Sequence, residues 1–188
     1  LQKAVALLPG DALAHSNLGN ALKAEGRLQE AEACYKHALV LQPGDALVHY
    51  NLGVVQQDEG RLEEAEAAYR SAIALRPDFA EAFYNLAILL DDRRDFKDAE
   101  VSYQKVLSLQ PGHVQATFNL GWIFHRALRL LEASDYYRRV LALQPDYVEA
   151  LYNLSLILNV EGNFLEAEHF CLRALRHEPS NPRFHTVL

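Results

Sequence analysis

Residues 46–79 read ALVHYNLGVVQQDEGRLEEAEAAYRSAIALRPDF, and this stretch decides the fold. Apolar residues recur at helical intervals in ALVHYNLGVVQQDE and again in LEEAEAAYRSAIALR, which predicts two amphipathic helices. Gly60 lies between them, where a left-handed residue closes the first helix. Pro77 ends the second helix, because proline cannot continue the hydrogen-bond ladder. The stretch therefore predicts a helix–turn–helix unit that stops at a proline.

The same unit recurs along the whole chain of 188 residues. Prolines spaced 34 residues apart mark its end, at Pro9, Pro43, Pro77, Pro111, Pro145 and Pro179. This register predicts a single array (1–188) of five full units, at 12–45, 46–79, 80–113, 114–147 and 148–181. Residues 1–11 are interpreted as the end of a preceding unit, and residues 182–188 as the start of a further helix.

Four slots of the unit hold similar residues each time. A leucine of the first helix is followed by a small residue, as in Leu52 and Gly53. The second helix carries an alanine and then a tyrosine, as in Ala65 and Tyr69, although Cys171 takes the tyrosine slot in the last unit. With its 34-residue period, this pattern resembles the tetratricopeptide repeat (TPR). The resemblance implies an all-α fold, a right-handed superhelical solenoid of antiparallel helix pairs, with the first helices lining a concave surface.

Two units depart from the pattern at the turn between their helices. Glycine occupies this position at 26, 60 and 162, but Arg94 and Leu128 replace it in the third and fourth units. Because a non-glycine residue in the left-handed conformation costs about 1 kcal/mol, we expect these two turns to differ in shape. The segment DDRRD at 91–95 is interpreted as a solvated turn or, alternatively, as a partner contact. His15 and His49 occupy the family's tryptophan slot and are expected to lie at the edge of the core.

An asparagine recurs beside the leucine of every first helix. At ~100° per residue, it lies roughly 150° from the core-facing stripe, so its amide does not face the second helix of its own unit. Its stripe also carries an aromatic residue in four of the five units and the single tryptophan. Amides bind peptide backbone, and aromatic rings hold side chains with little entropy loss. The predicted peptide groove contains Asn17, Asn51, Asn85, Asn119, Asn153, Tyr50, Tyr84, Phe118, Trp122 and Tyr152.

Two interpretations of the asparagines remain open at this stage. They serve a bound chain, or they join neighbouring helices while the tyrosines act as packing spacers. Alanine at positions 85 and 119 separates the two, because the first predicts weaker binding and the second predicts lower stability.

The predicted function is a protein–protein interaction module that binds an extended polypeptide in its groove. The array is similar to the TPR arm of O-GlcNAc transferases, which implies that a glycosyltransferase domain outside this chain would do the chemistry. TPR proteins that clamp the C-terminal carboxylate tail of heat-shock chaperones need a set of basic groove residues, and this sequence lacks it, so we do not expect that partner. The alternative function is a structural scaffold that stacks with fixed partners or with itself, end to end.

Composition argues against several other classes. The net charge of -7 disfavours nucleic acid, and no apolar run of about 18 residues is present, so membrane insertion is not expected. Cys34 and Cys171 lie four repeats apart and are predicted to be free thiols. Glu166 and His169 share a spacing used in di-iron bundles but lack the further carboxylates.

We therefore predict no catalytic residue, no metal and no cofactor, and the chain is not expected to be an enzyme by itself. Since no methionine is present, we interpret the sequence as an excerpt of a larger protein, and we expect a cytoplasmic location.

Overall fold

The computed structural model describes residues 9–181, and all regular structure in this range is helical. The predicted all-α class is confirmed by ten helices without a strand between those residues. The first of two compact units ends at Asp95 and the second begins at Phe96. The first contains α1 (Ala12–Ala24), α2 (Leu28–Leu41), α3 (Ala46–Asp58), α4 (Leu62–Leu75) and α5 (Ala80–Asp92). The second contains α6 (Phe96–Leu109), α7 (Val114–Arg126), α8 (Leu130–Leu143), α9 (Val148–Val160) and α10 (Phe164–His177).

We number the repeats as the sequence predicts, so that α1 and α2 form the first repeat and α9 and α10 the fifth. The division into one array with these boundaries stays a prediction. The interpretations of residues 1–8 as the end of a preceding unit and of 182–188 as the start of another helix lie outside the described residues. Within each compact unit, every helix packs against the next one in the chain.

The starts of the first helices follow two different local rules. Asp45 caps α3, since its carboxylate accepts the N–H groups of Leu47 and Val48 at 2.9 and 3.2 Å. Asp11 caps α1 in the same way. Phe79 and Tyr147 stand at this position before α5 and α9 and make no side-chain cap. As shown below, their rings pack on aromatic residues of the preceding first helix instead.

The second helices stop where the prolines predict. Helix α2 ends at Leu41, two residues before Pro43, and α4 ends at Leu75, two residues before Pro77. Because the residue before a proline is pushed out of the helical region, the stop is local and repeats with each proline.

A buried tyrosine sets the distance between the two helices of a repeat. A Cβ atom added to Gly53 would lie 2.8 Å from ring atoms of Tyr69, and one added to Gly121 would lie 2.9 Å from Tyr137. These glycines are therefore required for the close approach of the helices. In the fifth repeat the pair is Ser155 and Cys171, so the smaller thiol leaves room for a larger residue on the first helix.

The expectation that the turns at Arg94 and Leu128 differ in shape was wrong. Arg94 has φ +64° and Leu128 φ +58°, close to the +75° to +78° of the glycines at 26, 60 and 162. Their hydrogen bonds also match: Asp95 donates its N–H to the Leu90 carbonyl at 2.8 Å, as Arg61 does to Gln56 at 2.8 Å. At Leu128 the packing of α7 against α8 fixes the turn, and both Arg94 and Leu128 are held in the left-handed region despite its strain.

We expect Arg94→Gly and Leu128→Gly each to raise the free energy of unfolding by about 0.5–1 kcal/mol. Relief of left-handed strain contributes about 1–2 kcal/mol, and the greater chain entropy of glycine removes roughly 0.5–1 kcal/mol. Urea unfolding measures the change. The matched control is Gly60→Ala, whose Cβ would meet no atom within 4 Å, so that it introduces the strain alone and lowers stability. Destabilisation by both glycine substitutions would show that the turns are not strained.

Candidate functional site

In the first compact unit, Asn51 and Asn85 form hydrogen bonds to residues of the preceding repeat. The Asn85 amide nitrogen lies 3.2 Å from the Tyr50 hydroxyl and 3.5 Å from the Tyr69 hydroxyl, and it donates to both. Asn51 is buried, and its amide donates to Oδ1 of Asn20 at 3.1 Å. That oxygen also accepts the Tyr35 hydroxyl at 2.8 Å, so Asn20 bridges Asn51 to Tyr35. The prediction that the amides face away from the second helix of their own repeat is confirmed here.

The second compact unit repeats the arrangement. The Asn119 amide donates to the Tyr103 hydroxyl at 2.9 Å. Asn153 is buried next to Tyr137 and opposes the rise in the pKa of that tyrosine, but no hydrogen bond of normal geometry reaches its hydroxyl from the described residues. Asn17 differs from the other four, because its side chain is exposed and makes no hydrogen bond to residues 9–181.

These contacts give the asparagines a role in joining repeats, as the second interpretation proposed. These hydrogen bonds do not use every polar atom of the asparagine side chains. The amide oxygens of Asn85 and Asn119 accept no hydrogen bond from the part of the chain described, and both side chains are half-buried. Since an amide carries two acceptor lone pairs, each oxygen is available to an N–H group of a bound chain. The role of the predicted groove residues in binding stays a prediction.

The aromatic residues of the same stripe are largely packing residues. The Tyr50 ring centre lies 5.9 Å from that of Tyr69 and 5.0 Å from that of Phe79. Phe118 lies in the same way between Tyr137 (5.7 Å) and Tyr147 (5.1 Å). These distances are typical of tilted aromatic pairs, and all such rings at this slot, including Tyr84 and Tyr152, are half-buried.

Trp122 is the exception among the predicted groove aromatics, since 38% of its surface is exposed. The indole meets the His125 ring edge-on, with 6.3 Å between ring centres. The Arg126 guanidinium lies 4.8 Å from the Phe96 ring centre and 5.9 Å from the Trp122 ring centre, within cation–π range. Trp122 is thus an exposed tryptophan beside an arginine that itself packs on the Phe96 ring. This combination of residues is typical of a binding hot spot.

The rings of His125 and Tyr137 are in contact, but their polar atoms are not hydrogen-bonded to each other. In the second repeat the corresponding pair is satisfied, because the Tyr69 hydroxyl donates to the Gln57 side-chain oxygen at 2.7 Å. In the fourth repeat the rings meet edge-on at 6.2 Å, and His125 Nδ1 and the Tyr137 hydroxyl are buried without a hydrogen-bond partner among residues 9–181. Burial also lowers the pKa of His125, so its ring stays neutral at neutral pH.

Burial acts on the tyrosines in the opposite sense. It raises the pKa of Tyr35 to about 12, and it raises the pKa values of Tyr69 and Tyr137 further. The charged phenolate loses more from desolvation than the neutral phenol, so these residues stay protonated in the folded chain.

The sequence analysis missed a row of ion pairs that join a second helix to the turn between the two helices of the next repeat. Glu32 pairs with Arg61 at 2.8 Å and Glu66 with Arg93 at 2.6 Å in the first compact unit. In the second, Glu100 pairs with Arg129 at 3.3 Å. The 34-residue spacing of Glu32, Glu66 and Glu100 was the available signal. The arginines of these pairs are partly exposed, so solvent screens the attraction and each pair contributes little to stability.

The histidines and cysteines have local structural roles. The ring Nε2–H groups of His15 and His49 donate to the carbonyls of Pro9 and Pro43, at 3.0 and 2.9 Å. Glu166 is paired with Arg138 at 2.8 Å rather than with His169. Cys34 and Cys171 are both free thiols, as predicted. Within residues 9–181, no cluster of three or more metal-binding side chains occurs and no helix is long and apolar enough to cross a membrane.

The stacked helix pairs and the repeated asparagine–tyrosine contacts define an α-helical repeat protein. The family model described as the middle TPR-like domain of cilia and flagella-associated protein 70 matches residues 15–128, and a tetratricopeptide-repeat model matches residues 126–182. The chain therefore belongs to the family of tetratricopeptide-repeat-like domains that the first of these models describes. No curated protein sequence matches the chain.

Solved structures share the fold at low identity. YrrB, described as a TPR protein with an unusual peptide-binding site, has 24% identity and a TM-score of 0.86, covering 98% of this chain and 95% of its own. MamA has 21% identity and a TM-score of 0.81, covering 89% and 92%. Pseudomonas aeruginosa pilF has 21% identity and a TM-score of 0.77, covering 94% and 80%. These similarities establish the helical solenoid class.

The asparagine–tyrosine contact is tested with Asn119→Ala, Tyr103→Phe and the double variant. We expect Asn119→Ala to lower the free energy of unfolding by about 0.5–1.5 kcal/mol, the net value of one hydrogen bond. Urea unfolding of the four proteins gives the coupling between the two residues. Asn17→Ala is the control and should leave stability unchanged, because Asn17 has no such partner among residues 9–181. Additive effects at 103 and 119 would mean that this hydrogen bond does not join the repeats.

The buried tyrosines predict that the fold loses stability at alkaline pH. Below about pH 10 a tyrosine is protonated in both states and favours neither. As the pH rises from about 10 toward 12, Tyr35 ionises in the unfolded chain but not in the folded one, so unfolding becomes more favourable. Urea midpoints across this range measure the effect, and Tyr35→Phe should flatten the pH dependence. An identical pH dependence in that variant would contradict the assignment to Tyr35.

Proposed function

We propose that the chain is a protein-interaction module that binds an extended polypeptide along the stripe of its first helices. The observation that carries the proposal is Trp122. Tyr50 and Phe118 at the aromatic slot each pack between two other rings, whereas the indole is exposed beside Arg126. Tryptophan and arginine are among the residues that carry most of the binding energy in protein interfaces.

The amide oxygens of Asn85 and Asn119 supply a second kind of contact. Each side chain is held by its tyrosine partner, so its orientation is set before a ligand arrives. Such a fixed acceptor binds a backbone N–H group with little further loss of conformational entropy. Backbone contacts of this kind favour an extended chain over a folded surface. Asn51 and Asn153 are more deeply buried and contribute mainly to the joining of repeats.

The charged residues of the stripe indicate which kind of polypeptide binds best. In the first compact unit, the stripe carries Lys23 and four carboxylates, Asp58, Glu81, Asp91 and Asp92. A polypeptide with basic residues complements this part of the stripe. The same charges disfavour the carboxylate tail of a chaperone and the phosphates of nucleic acid.

The comparisons add support of a general kind. YrrB is described as having a peptide-binding site on the same fold, and its likeness extends over nearly the whole of this chain. We infer that the present chain is likewise a binding module and is not an enzyme by itself, and that a catalytic domain such as a glycosyltransferase would lie outside it.

The test uses the fluorescence of Trp122, the only tryptophan of the chain. We expect a subset of extended, basic peptides from a synthetic library to shift its emission to shorter wavelength as the indole is covered. Trp122→Ala should weaken the same peptides by about 2 kcal/mol, or roughly 30-fold, when binding is followed by labelled-peptide anisotropy. Because the indole is partly exposed, the unfolding midpoint should change little.

Two controls make this experiment decisive. Val101→Ala removes another exposed apolar side chain, outside the stripe, and should leave peptide affinity unchanged. Acidic peptides of matched length should bind at least tenfold more weakly, since the first compact unit presents carboxylates. The proposal fails if no peptide alters the tryptophan emission, or if peptides bind Trp122→Ala as tightly as the unchanged protein.

A further inference from the structure

The last residue of the first helix changes its charge from one repeat to another. This position of the stripe holds Asp58 in the second repeat and Asp92 in the third, but Arg126 in the fourth. Ala24 and Val160 occupy it in the first and fifth repeats. A carboxylate here favours a basic residue of a bound chain, whereas a guanidinium favours an acidic residue. The fourth repeat therefore differs from the two before it in the kind of ligand residue that it favours.

The ring of Phe96 supports the Arg126 side chain. Phe96 is the half-buried first residue of α6, and its ring centre lies 4.8 Å from the Cζ atom of Arg126. Leu28 and Leu62 stand at the corresponding position in the first and second repeats, each of which precedes a repeat with aspartate. The aromatic ring thus occurs in the repeat that precedes the arginine. Because stacking restricts the long arginine side chain, less conformational entropy is lost when its planar fork binds a ligand.

Arg126 has no carboxylate partner among residues 9–181, and its side chain is exposed. Arg129 of the same compact unit also lies over an aromatic ring, but it is paired with Glu100. The stripe of this unit contains one carboxylate, Glu149, which is the second residue of α9, whereas Arg126 is the last residue of α7. Because successive first helices of such a solenoid run in the same direction, these two residues lie toward opposite ends of the stripe. The charge of Arg126 is therefore available to a ligand.

Trp122 provides an apolar surface next to this charge. It precedes Arg126 by four residues, so the two side chains share one face of α7. The Arg126 Cζ atom lies 5.9 Å from the Trp122 ring centre, and 38% of the tryptophan surface is exposed. A ligand that covers the indole also displaces water from the guanidinium, which strengthens an ion pair formed there.

We infer that Arg126 and Trp122 bind an acidic residue of the partner polypeptide, aspartate or glutamate, together with the apolar residue beside it. The guanidinium donates two parallel N–H groups to the side-chain carboxylate, and the indole covers the apolar neighbour. This inference rests on the proposed function and gives the peptide a charge pattern: it is basic overall and carries one carboxylate for the fourth repeat.

The test places a glutamate at each position of a peptide in turn. The probes are synthetic ten-residue peptides of lysine, glycine and leucine with amidated C-termini, and each has a matched peptide with glutamine in place of glutamate. Amidation removes the terminal carboxylate. We expect one position at which the glutamate peptide binds about tenfold more tightly than its glutamine counterpart, as measured by fluorescence anisotropy.

Two variants assign this preference to Arg126. Arg126→Ala introduces the residue of the first repeat and should abolish the difference between the glutamate and glutamine peptides. Arg126→Asp introduces the residue of the second and third repeats and should reverse the preference, so that lysine at the same position binds more tightly than glutamine. Since the repeats tolerate both residues at this position, the fold should survive, and circular dichroism checks this.

Arg139→Ala is the matched control, because Arg139 is exposed and its Cζ atom lies 4.7 Å from the Tyr136 ring centre, but it belongs to α8 and lies outside the stripe. It should retain the preference for glutamate. If peptides bind and shift the Trp122 emission but glutamate is nowhere preferred, the inference is overturned and the proposed function stands. A preference that survives in Arg126→Ala overturns it as well. If no peptide binds, the proposed function and the inference fail together.

Discussion

The structure depends on the buried tyrosine of each second helix in the first four repeats. Tyr35, Tyr69, Tyr103 and Tyr137 are fully buried. Where the glycine partner is present, the ring fills the space that a side chain on the first helix would need, which fixes the separation of the pair. The hydroxyl cannot remain unpaired in such surroundings without a cost of about 1–3 kcal/mol. An asparagine of the following repeat supplies the partner for Tyr69 and Tyr103, so a single residue links the packing within a repeat to the register between repeats.

This dependence explains why asparagine persists at one slot of every repeat. A leucine there would lose the hydrogen bond that Asn119 makes to the Tyr103 hydroxyl and those that Asn85 makes to Tyr50 and Tyr69. Asn17 recurs with the others, although no tyrosine of a preceding repeat lies within the described residues. The binding role that we propose is compatible with this architecture, because the nitrogen of the amide serves the tyrosine and its oxygen is left over.

The sequence predicted the helices well because the signals that begin and end each helix are local. Proline stops, glycine turns and apolar spacing operate over a few residues, and the 34-residue period repeats them. The turns at Arg94 and Leu128 were missed because the local preference for glycine is overridden there: the same backbone hydrogen bonds form at all five turns, whichever residue occupies the left-handed position. The hydrogen-bond partners of the asparagines could not be predicted from the sequence either. A helical projection shows which side of its own helix a side chain lies on, but it does not show which residue of another repeat the side chain contacts.

The fourth repeat differs from the second at three positions in ways that the local rules for helices and turns do not explain. It holds a strained, exposed leucine at its turn, an exposed tryptophan on its first helix, and a histidine–tyrosine pair whose polar atoms lack partners among residues 9–181. The strained leucine and the unsatisfied pair lower stability, and the second repeat has Gly60 and the satisfied pair of Gln57 and Tyr69 at the same positions. Sites that break the rules obeyed elsewhere in the same chain are where function is expected. Because the repeats share one architecture, comparison within the chain separates residues that maintain the fold from those available for binding.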